Sequence, residues 1–417
     1  MNWRLHWIPA TEWLLIVLLA VALAIPFSTP ENPLQLRQAD YVYYYYPAGE
    51  RLLQGQSPYG FNTKWGDTNP MPPWFTLLIA PLSLLPQTSA AWCWLALNLG
   101  MLVGIVVLAA RLSGTHPGVR RTLLAAAALS FWRPVSSHLF LGQSSILVTL
   151  AATGALFAAD RGRLWLAGVL MVAASSKPHV AFLLGLGLTI FGWRTRRSLA
   201  VPFGFAIALG AALLTCLAIT TAWVGDLIHK PPGVYDYWGV TLNLRALLGR
   251  ALDQNPFSEI LYWIIFAAGI GLVLRLWAKA DRPLAELGAL TLAATLLLTP
   301  YAQSHDYVLL IPALVLLAAR ACAQPSPRRR AWLLAALVLA CWILGSLHKW
   351  LLTLVETGFV WKRLEPMLGE AAMDTLWQWL KHSARFFQML MPAGIVLVLI
   401  HSRKTRDSMA SESPPQV

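Results

Sequence analysis

A carboxylate and five tyrosines open the first long polar stretch of the sequence. Asp40 directly precedes Tyr41, and the tyrosine run 43–46 follows after one valine. The stretch comes after the first apolar run long enough to cross a membrane. Partial loss of hydration at a membrane surface makes a carboxylate a better general base, so the pattern favours Asp40 as the group that takes a proton from a hydroxyl. Asp is also a common helix N-cap, and that structural role stays open.

A lysine lies at the tip between two short apolar arms. Lys177 is followed by Pro178 and His179, and the arms 164–176 and 179–192 are short for full membrane spans. A lysine below the membrane surface must pair with an anion or extend to the interface. Lys177 is therefore a candidate ligand for a phosphate, with a simple snorkelling lysine as the alternative.

Three further places carry polar side chains between apolar runs. His305 and Asp306 lie between two runs near residue 300, where a histidine could bind a phosphate oxygen or orient a base. His138 and Gln143 lie in a polar break at 133–143, where Gly-Gln either ends a helix or offers an amide to a substrate. Arg245 follows Asn243 in a later polar interval and adds another cation.

The composition defines the class of protein that positions these residues. The 417 residues are 57% hydrophobic and 12% charged, whereas a soluble domain carries about 25% charged residues. Apolar runs of membrane-spanning length recur along the chain, which predicts an all-α polytopic membrane protein. The formal net charge is +13, but the basic residues form short clusters between apolar runs, which excludes nucleic acid as a partner.

Twelve transmembrane helices are predicted. An additional apolar piece at 71–86 is short and broken by prolines, and we assign it to a helix that lies along the outer interface or dips into the membrane. The predicted spans are 11–27, 90–110, 122–138, 144–159, 164–176, 179–192, 199–222, 258–277, 284–300, 307–321, 331–348 and 385–401.

The arginine clusters set the orientation. If they lie on the cytoplasmic side of the inner cell membrane, both termini are cytoplasmic. The longer polar intervals are then exoplasmic, namely 28–89, 133–143, 223–257 and 349–384. Any chemistry is then exoplasmic. We predict one transmembrane domain over 1–401, with the first exoplasmic loop at 28–89 carrying the acid, and a disordered cytoplasmic tail at 402–417. The chain shows no internal repeat, which argues against a transporter.

Metal and redox chemistry find no support in the sequence. Cys93, Cys216, Cys322 and Cys341 lie within or at the ends of apolar segments without CxxC spacing, which is typical of helix packing. We therefore expect neither a metal ion nor another cofactor.

Several short motifs occur in an order that one known family shares. Between about residues 36 and 312 the sequence resembles the polyprenol-phosphate-mannose-dependent glycosyltransferases of the GT-C superfamily, which include the α-1,2-mannosyltransferase of phosphatidylinositol mannosides. The tyrosine run is longer than is usual there, a serine is missing two residues after Asn243, and the late motif is Ser-His-Asp. The matching positions are Asp40, Tyr44, Tyr45, Ala48, Gly55, Pro58, Tyr59, Gly142, Gln143, Lys177, Pro178, Asn243, Pro300 and His305.

The resemblance implies a GT-C fold and an inverting transfer of a sugar, mannose by default, from a polyprenyl-phosphate donor to a hydroxyl of a glycolipid or glycan. By that likeness Asp40 is the catalytic base and His305 a second catalytic residue. Lys177 falls at the donor phosphate, where we also place Arg245, Gln143 and His138. We expect the acceptor or sugar ring to meet aromatic side chains of the first loop, namely Tyr44, Tyr45 and Tyr59.

Two alternatives remain at this point. A carrier or flippase for a lipid-linked sugar would bind the same lipid without chemistry and would tolerate Asp40→Asn. A transferase of the same fold could instead use glucose or arabinose donors.

Overall fold

The computed structural model describes residues 38–62, 69–130, 132–229, 243–279, 281–323 and 390–400, with isolated positions between 325 and 375. Within these residues the secondary structure is helical throughout, with no strand. The predicted spans 11–27 and 331–348, the interval 349–384 and the tail 402–417 lie wholly or largely outside them.

The described part of the first loop consists of short helices. A π-helical turn, Tyr41–Tyr45, continues into α1, Tyr46–Leu53. Helix α2, Pro73–Ile79, then runs into the 3-10 turn Ala80–Leu84. The two pieces are in close contact, since the hydroxyl of Ser83 donates a hydrogen bond to the carbonyl of Tyr46. The predicted helical character of 71–86 is confirmed, and its position at the membrane interface stays a prediction.

Longer helices follow in chain order. They match the predicted spans 90–110, 144–159, 164–176, 179–192, 199–222, 258–277, 284–300 and 307–321 to within a few residues. The elements are α3 Gln87–Leu112, α4 Val119–Ser130, α5 Arg133–Leu141, α6 Ser145–Asp160, α7 Leu164–Ala174, α8 Pro178–Arg196, α9 Ala200–Ile219, α10 Ala222–His229, α11 Leu244–Ala251, α12 Pro256–Lys279, α13 Leu284–Leu298, the 3-10 turn Ser304–Leu310, α14 Ile311–Cys322 and α15 Leu390–Ile400.

The predicted single span at 122–138 is wrong. Helix α4 ends at Ser130, and α5 begins at Arg133 after an extended Trp132. The cause is Pro134, which in a continuous helix could not donate to the carbonyl of Ser130 and would clash with it, but which fits in the first turn of a new helix. The polar interval at 133–143 is thus a helix of its own.

Helices α5 and α6 meet at a sharp bend of 118°. Gly142 ends α5 in the left-handed conformation, with φ 69°, and its amide bonds back to His138. A side chain at this position would collide with the first loop, because a Cβ would lie 2.9 Å from that of Tyr41. Glycine is therefore required both by the backbone conformation and by the close approach of the π-turn.

The protein is an all-α polytopic membrane protein. Four helical stretches are long and apolar enough to cross a membrane, or five if α5 and α6 together form one broken span. The four are Gln87–Leu112, Ala200–Ile219, Pro256–Lys279 and Ser304–Cys322. Because only the described residues contribute to this number, the total of twelve spans stays a prediction.

The main apolar core is built around α6 and α13, which are buried along most of their length. Helices α9 and α12, by contrast, expose many large apolar side chains, such as Phe203, Ile207 and Ile264. In a membrane protein such faces suit contact with lipid. Close approach of α7 to α9 depends on Gly168 and Gly204, where a Cβ would lie within 2.4 Å of the facing backbone.

Candidate active site

Asp40 is held at the start of the π-turn. Its backbone occupies the N-cap position, but its side chain makes no capping hydrogen bond. The partly exposed carboxylate instead accepts a hydrogen bond from the side-chain amide of Gln143, at its Oδ2 atom. The N-cap role considered from the sequence therefore does not explain this side chain.

Tyr45 completes the contacts around Gln143. Its hydroxyl donates to Oε1 of Gln143 at 3.1 Å, and its ring packs edge-on against Phe75, with centroids 4.9 Å apart. Burial raises the pKa of the Tyr45 phenol far above its usual range, and the nearby Asp40 carboxylate raises it further. The phenol therefore keeps its proton. We call Asp40, Tyr45 and Gln143 the acid cluster.

Lys177 lies at the turn between α7 and α8, as expected, and it is buried. Its ammonium donates to Oδ1 of Asp306 at 2.6 Å and to the hydroxyl of Ser145 at 2.8 Å. A third contact reaches Nε2 of His305 at 3.3 Å. A protonated lysine can only donate, so this nitrogen of His305 is the acceptor and carries no proton. We call Ser145, Lys177, His305 and Asp306 the lysine cluster.

The charges of the lysine cluster neutralise each other within the cluster. The carboxylate of Asp306 is fully enclosed and forms an ion pair with Lys177. It also accepts from the hydroxyl of Ser145 at 2.7 Å and from the backbone amide of Gln303 at 2.9 Å. An ammonium has three hydrogens, and all three of Lys177 have partners here. A phosphate that approaches Lys177 must therefore replace one of them.

One turn connects the two clusters. Residues 142–145, which we call the GQSS turn, place Gln143 on Asp40 and Ser145 on Lys177 and Asp306. The turn is anchored by Trp94, whose indole N–H donates to the carbonyl of Gly142 at 2.8 Å. The acid and the lysine thus lie on either side of a bend whose position in the core is fixed.

His138 lies in the same region, on α5. Its Nε2 atom is 2.9 Å from Oδ1 of Asn98, while the amide nitrogen of Asn98 donates to the carbonyl of Trp94. Because that contact fixes the amide orientation, the histidine must donate through Nε2. The enclosed Nδ1 atom of His138 has no hydrogen-bond partner in the part of the chain that the structure describes.

The remaining predicted site residues have other contacts. Arg245 pairs with Glu259 at 3.1 Å and lies over the ring of Tyr262, on α11 and α12. Tyr59 is buried beside Cys216, and its hydroxyl donates to the carbonyl of Met71 at 2.9 Å.

Tyr44 is half-buried on the π-turn. It is more accessible than Tyr45 or Tyr59, both of which are buried. Of the three tyrosines expected at the sugar ring, Tyr44 is therefore the one whose ring a ligand can reach most easily.

Two members of the lysine cluster were not assigned a role from the sequence. These are Asp306, which follows His305 in the sequence, and Ser145. The signal was available for Asp306, because a lysine buried among apolar runs requires an anionic partner. For the residues that the structure describes, no group of three or more His, Cys, Asp or Glu side chains is placed to hold a metal ion.

Together, fold and site define a polytopic membrane protein with a partly exposed carboxylate next to a buried, charged cluster. Comparison with known families gives the more specific identity. Residues 71–300 match the model of glycosyltransferase family 87, which is more than half of the chain. The chain belongs to glycosyltransferase family 87, a GT-C family, and is a glycosyltransferase.

The match includes the GQSS turn, Lys177 and Arg245, whereas Asp40 precedes it and His305 follows it. Neither a search of curated proteins nor a search of solved structures gave a match.

Proposed function

We propose that this glycosyltransferase moves a sugar, mannose by default, from a polyprenyl-phosphate donor to a hydroxyl of a glycolipid or glycan outside the inner membrane. Asp40 is the general base in this proposal. The observation that carries it is the GQSS turn, which contacts the acid on one side and a buried lysine on the other, and this lysine in turn contacts His305.

The reaction follows from this arrangement. The acceptor oxygen attacks the anomeric carbon while Asp40 takes its proton, and the bond between that carbon and the phosphate oxygen breaks. The configuration at the anomeric carbon inverts because attack and departure occur on opposite faces. The leaving group is a polyprenyl phosphate, whose developing negative charge requires positive or hydrogen-bond-donating groups nearby.

The lysine cluster supplies those groups. The contact between Lys177 and His305 is the longest of the three that Lys177 makes, so a phosphate oxygen replaces it at the smallest cost. The ammonium then donates to phosphate while it keeps Asp306 and Ser145. His305, no longer an acceptor for Lys177, donates to the same phosphate once Nε2 carries the ring proton. Arg245 and His138 are secondary candidates for phosphate contact, and Tyr44 is the best placed of the tyrosines to meet a sugar ring.

The lipid part of the donor suits the exposed faces of the long helices. A prenyl chain needs an apolar surface that is open to the bilayer, and α9 and α12 present such surfaces. The alternative of a carrier or flippase is weakened by membership of a glycosyltransferase family. A glucose or arabinose donor stays an alternative to mannose.

The test is transfer from radiolabelled polyprenyl-phosphate sugars in membranes that contain the wild type, Asp40→Asn or Glu50→Gln. Glu50 is the matched control, because it lies on α1 of the same loop and is exposed. We expect product from the wild type and from Glu50→Gln, and a loss of about 10²- to 10⁴-fold for Asp40→Asn. Full activity of Asp40→Asn contradicts the assignment of the base. Absence of product from every donor contradicts the proposed donor class.

A further inference from the structure

The acid cluster contains an amide whose expected role was phosphate binding and whose observed partner is the base. We propose that Gln143 is a positioning residue that orients the Asp40 carboxylate, and that Tyr45 holds the other end of the Gln143 amide in place. This inference rests on the proposed role of Asp40 as general base.

The orientation of the amide follows from the two contacts of Gln143. An ionised carboxylate can only accept, so the NH₂ end of the Gln143 amide is directed to Oδ2 of Asp40. The reversed amide would set its carbonyl oxygen against the carboxylate. The hydroxyl of Tyr45 then donates to the remaining Oε1 atom and holds the amide in this orientation.

The π-turn brings Asp40 and Tyr45 to the same amide. The two residues are five apart, and the π-turn repeats its backbone hydrogen bonds at that spacing, as shown by the bond from the Tyr46 amide to the Tyr41 carbonyl. In an α-helix, residues five apart point in directions that differ by about 140°. The π-helical turn therefore has a structural role at the site. Such turns are rare in proteins, and those that do occur are often found at functional sites.

The backbone that carries Gln143 is held firmly. Trp94 bonds the carbonyl of Gly142, and the ring of Tyr41 stacks on the Trp94 indole with centroids 5.6 Å apart. The π-turn and the GQSS turn are thus joined through one indole as well as through Gln143. An amide on so firmly held a turn can fix the direction of a carboxylate that is itself partly exposed.

Several titratable groups near Asp40 can affect the pH dependence of kcat/KM. Tyr45 shares its turn, and Lys177, His305 and Asp306 lie on the far side of the GQSS turn; Asp306 is close enough to act on the Tyr45 phenol. A hydrogen bond from Gln143 stabilises the charged form of Asp40. Removing that bond makes the carboxylate easier to protonate, and a second carboxylate in its place does so more strongly.

The experiment compares the pH dependence of kcat/KM for wild type, Gln143→Glu, Gln143→Met and Tyr45→Phe. The control is Gln87→Glu, because Gln87 also donates to the π-turn, at the carbonyl of Val42, and is exposed. We expect the acid limb of Gln143→Glu to move up by about one pH unit or more. Gln143→Met should lower kcat by about 10- to 100-fold with little change in the donor KM, and Tyr45→Phe should show a smaller loss of the same kind. Gln87→Glu should leave the profile unchanged.

Opposite results overturn the proposal. A raised donor KM with an unshifted pH profile in Gln143→Met and Gln143→Glu assigns Gln143 to the phosphate instead. If Gln143→Glu does not fold, the kcat and KM of Gln143→Met and Tyr45→Phe, both of which keep the volume of the side chain, decide the question.

A double variant separates this inference from the proposed function. In the Asp40→Asn background, Gln143→Met should cause little further loss, because its effect is exerted through the carboxylate. An active Asp40→Asn enzyme contradicts the proposed base itself. A strongly additive loss in the double variant contradicts only the positioning role.

Discussion

The acid cluster and the lysine cluster differ in how deeply their charged groups are buried. Asp40 is partly exposed and accepts a hydrogen bond from the amide of Gln143, which Tyr45 holds at its other end. Lys177 and Asp306 are buried and neutralise each other at 2.6 Å. The first arrangement can exchange a proton with a substrate, whereas the second holds charge in place inside the protein. We therefore expect variants of the acid cluster to lose activity while they stay folded, and variants of the lysine cluster to lose stability.

The largest effect is expected from breaking the buried ion pair. Lys177→Met or Asp306→Asn alone leaves one partner without its main electrostatic contact and should cost about 3–5 kcal/mol of stability. The double variant Lys177→Met, Asp306→Leu removes both charges and should recover much of that stability while staying inactive. Unfolding in detergent, followed by heat or denaturant, measures all three.

The partly exposed pair of Arg245 and Glu259 is the control for that experiment. Its side chains are 34% and 30% exposed, so Arg245→Met should cost no more than about 1 kcal/mol. If both pairs lose a similar amount of unfolding free energy, the burial of Lys177 and Asp306 does not make their ion pair more important for stability.

The acid cluster should respond in the opposite way. Asp40→Asn keeps the size of the side chain and leaves a partly exposed group, so its stability should stay within about 0.5 kcal/mol of the wild type. Activity should still be lost. A variant that loses stability and activity together would place Asp40 in the scaffold and remove the contrast between the clusters.

The GQSS turn should affect both clusters at once. Gly142→Ala introduces a Cβ at φ 69° and within 2.9 Å of Tyr41, and we expect a loss of about 1–3 kcal/mol together with reduced activity. Gly114→Ala is the matched control, since Gly114 has φ 73° and nothing within 4 Å of the added atom. The difference between the two melting curves isolates the contact with the π-turn. Equal losses would mean that the close approach has no energetic role.

A smaller effect is expected at the phenol of Tyr45. Because burial raises its pKa, the folded protein favours the protonated phenol, and the stability that this provides is present below about pH 10 and declines as the pH rises further. Tyr45→Phe lacks this group, so its stability should fall less above pH 10. Parallel curves for the two proteins would contradict the burial of the phenol.

The sequence predicted the helices well because their apolar runs are continuous. It failed at 122–138, where the hydropathy is continuous although Pro134 interrupts the helix. The chemical types in the site were also visible, and Asp40, Gln143, Lys177 and His305 were all candidates. The sequence indicated that Lys177 needs an anionic partner. It did not show which groups meet, because Lys177 and Asp306 are separated by 129 positions and Gln143 and Asp40 by 103. Which polar group meets which depends on helix packing, and a hydropathy pattern does not contain that information.

Gln143 shows the consequence most clearly. From its motif it was expected at the donor phosphate, and in the structure its amide contacts the carboxylate of Asp40. The motif predicted that the residue matters at the site, but its partner depends on the bend at Gly142 and on the π-turn. Neither the bend angle nor the π-helical repeat could be derived from the residues alone.

The most direct measurement is a structure of the Asp40→Asn enzyme with a bound polyprenyl-phosphate sugar. We expect the donor to lie across the GQSS turn, with its phosphate at Lys177 and His305 and its anomeric carbon facing residue 40, so that an acceptor oxygen fits within about 3 Å of that side chain. A sugar bound away from residue 40, or a phosphate bound away from the lysine cluster, would contradict it.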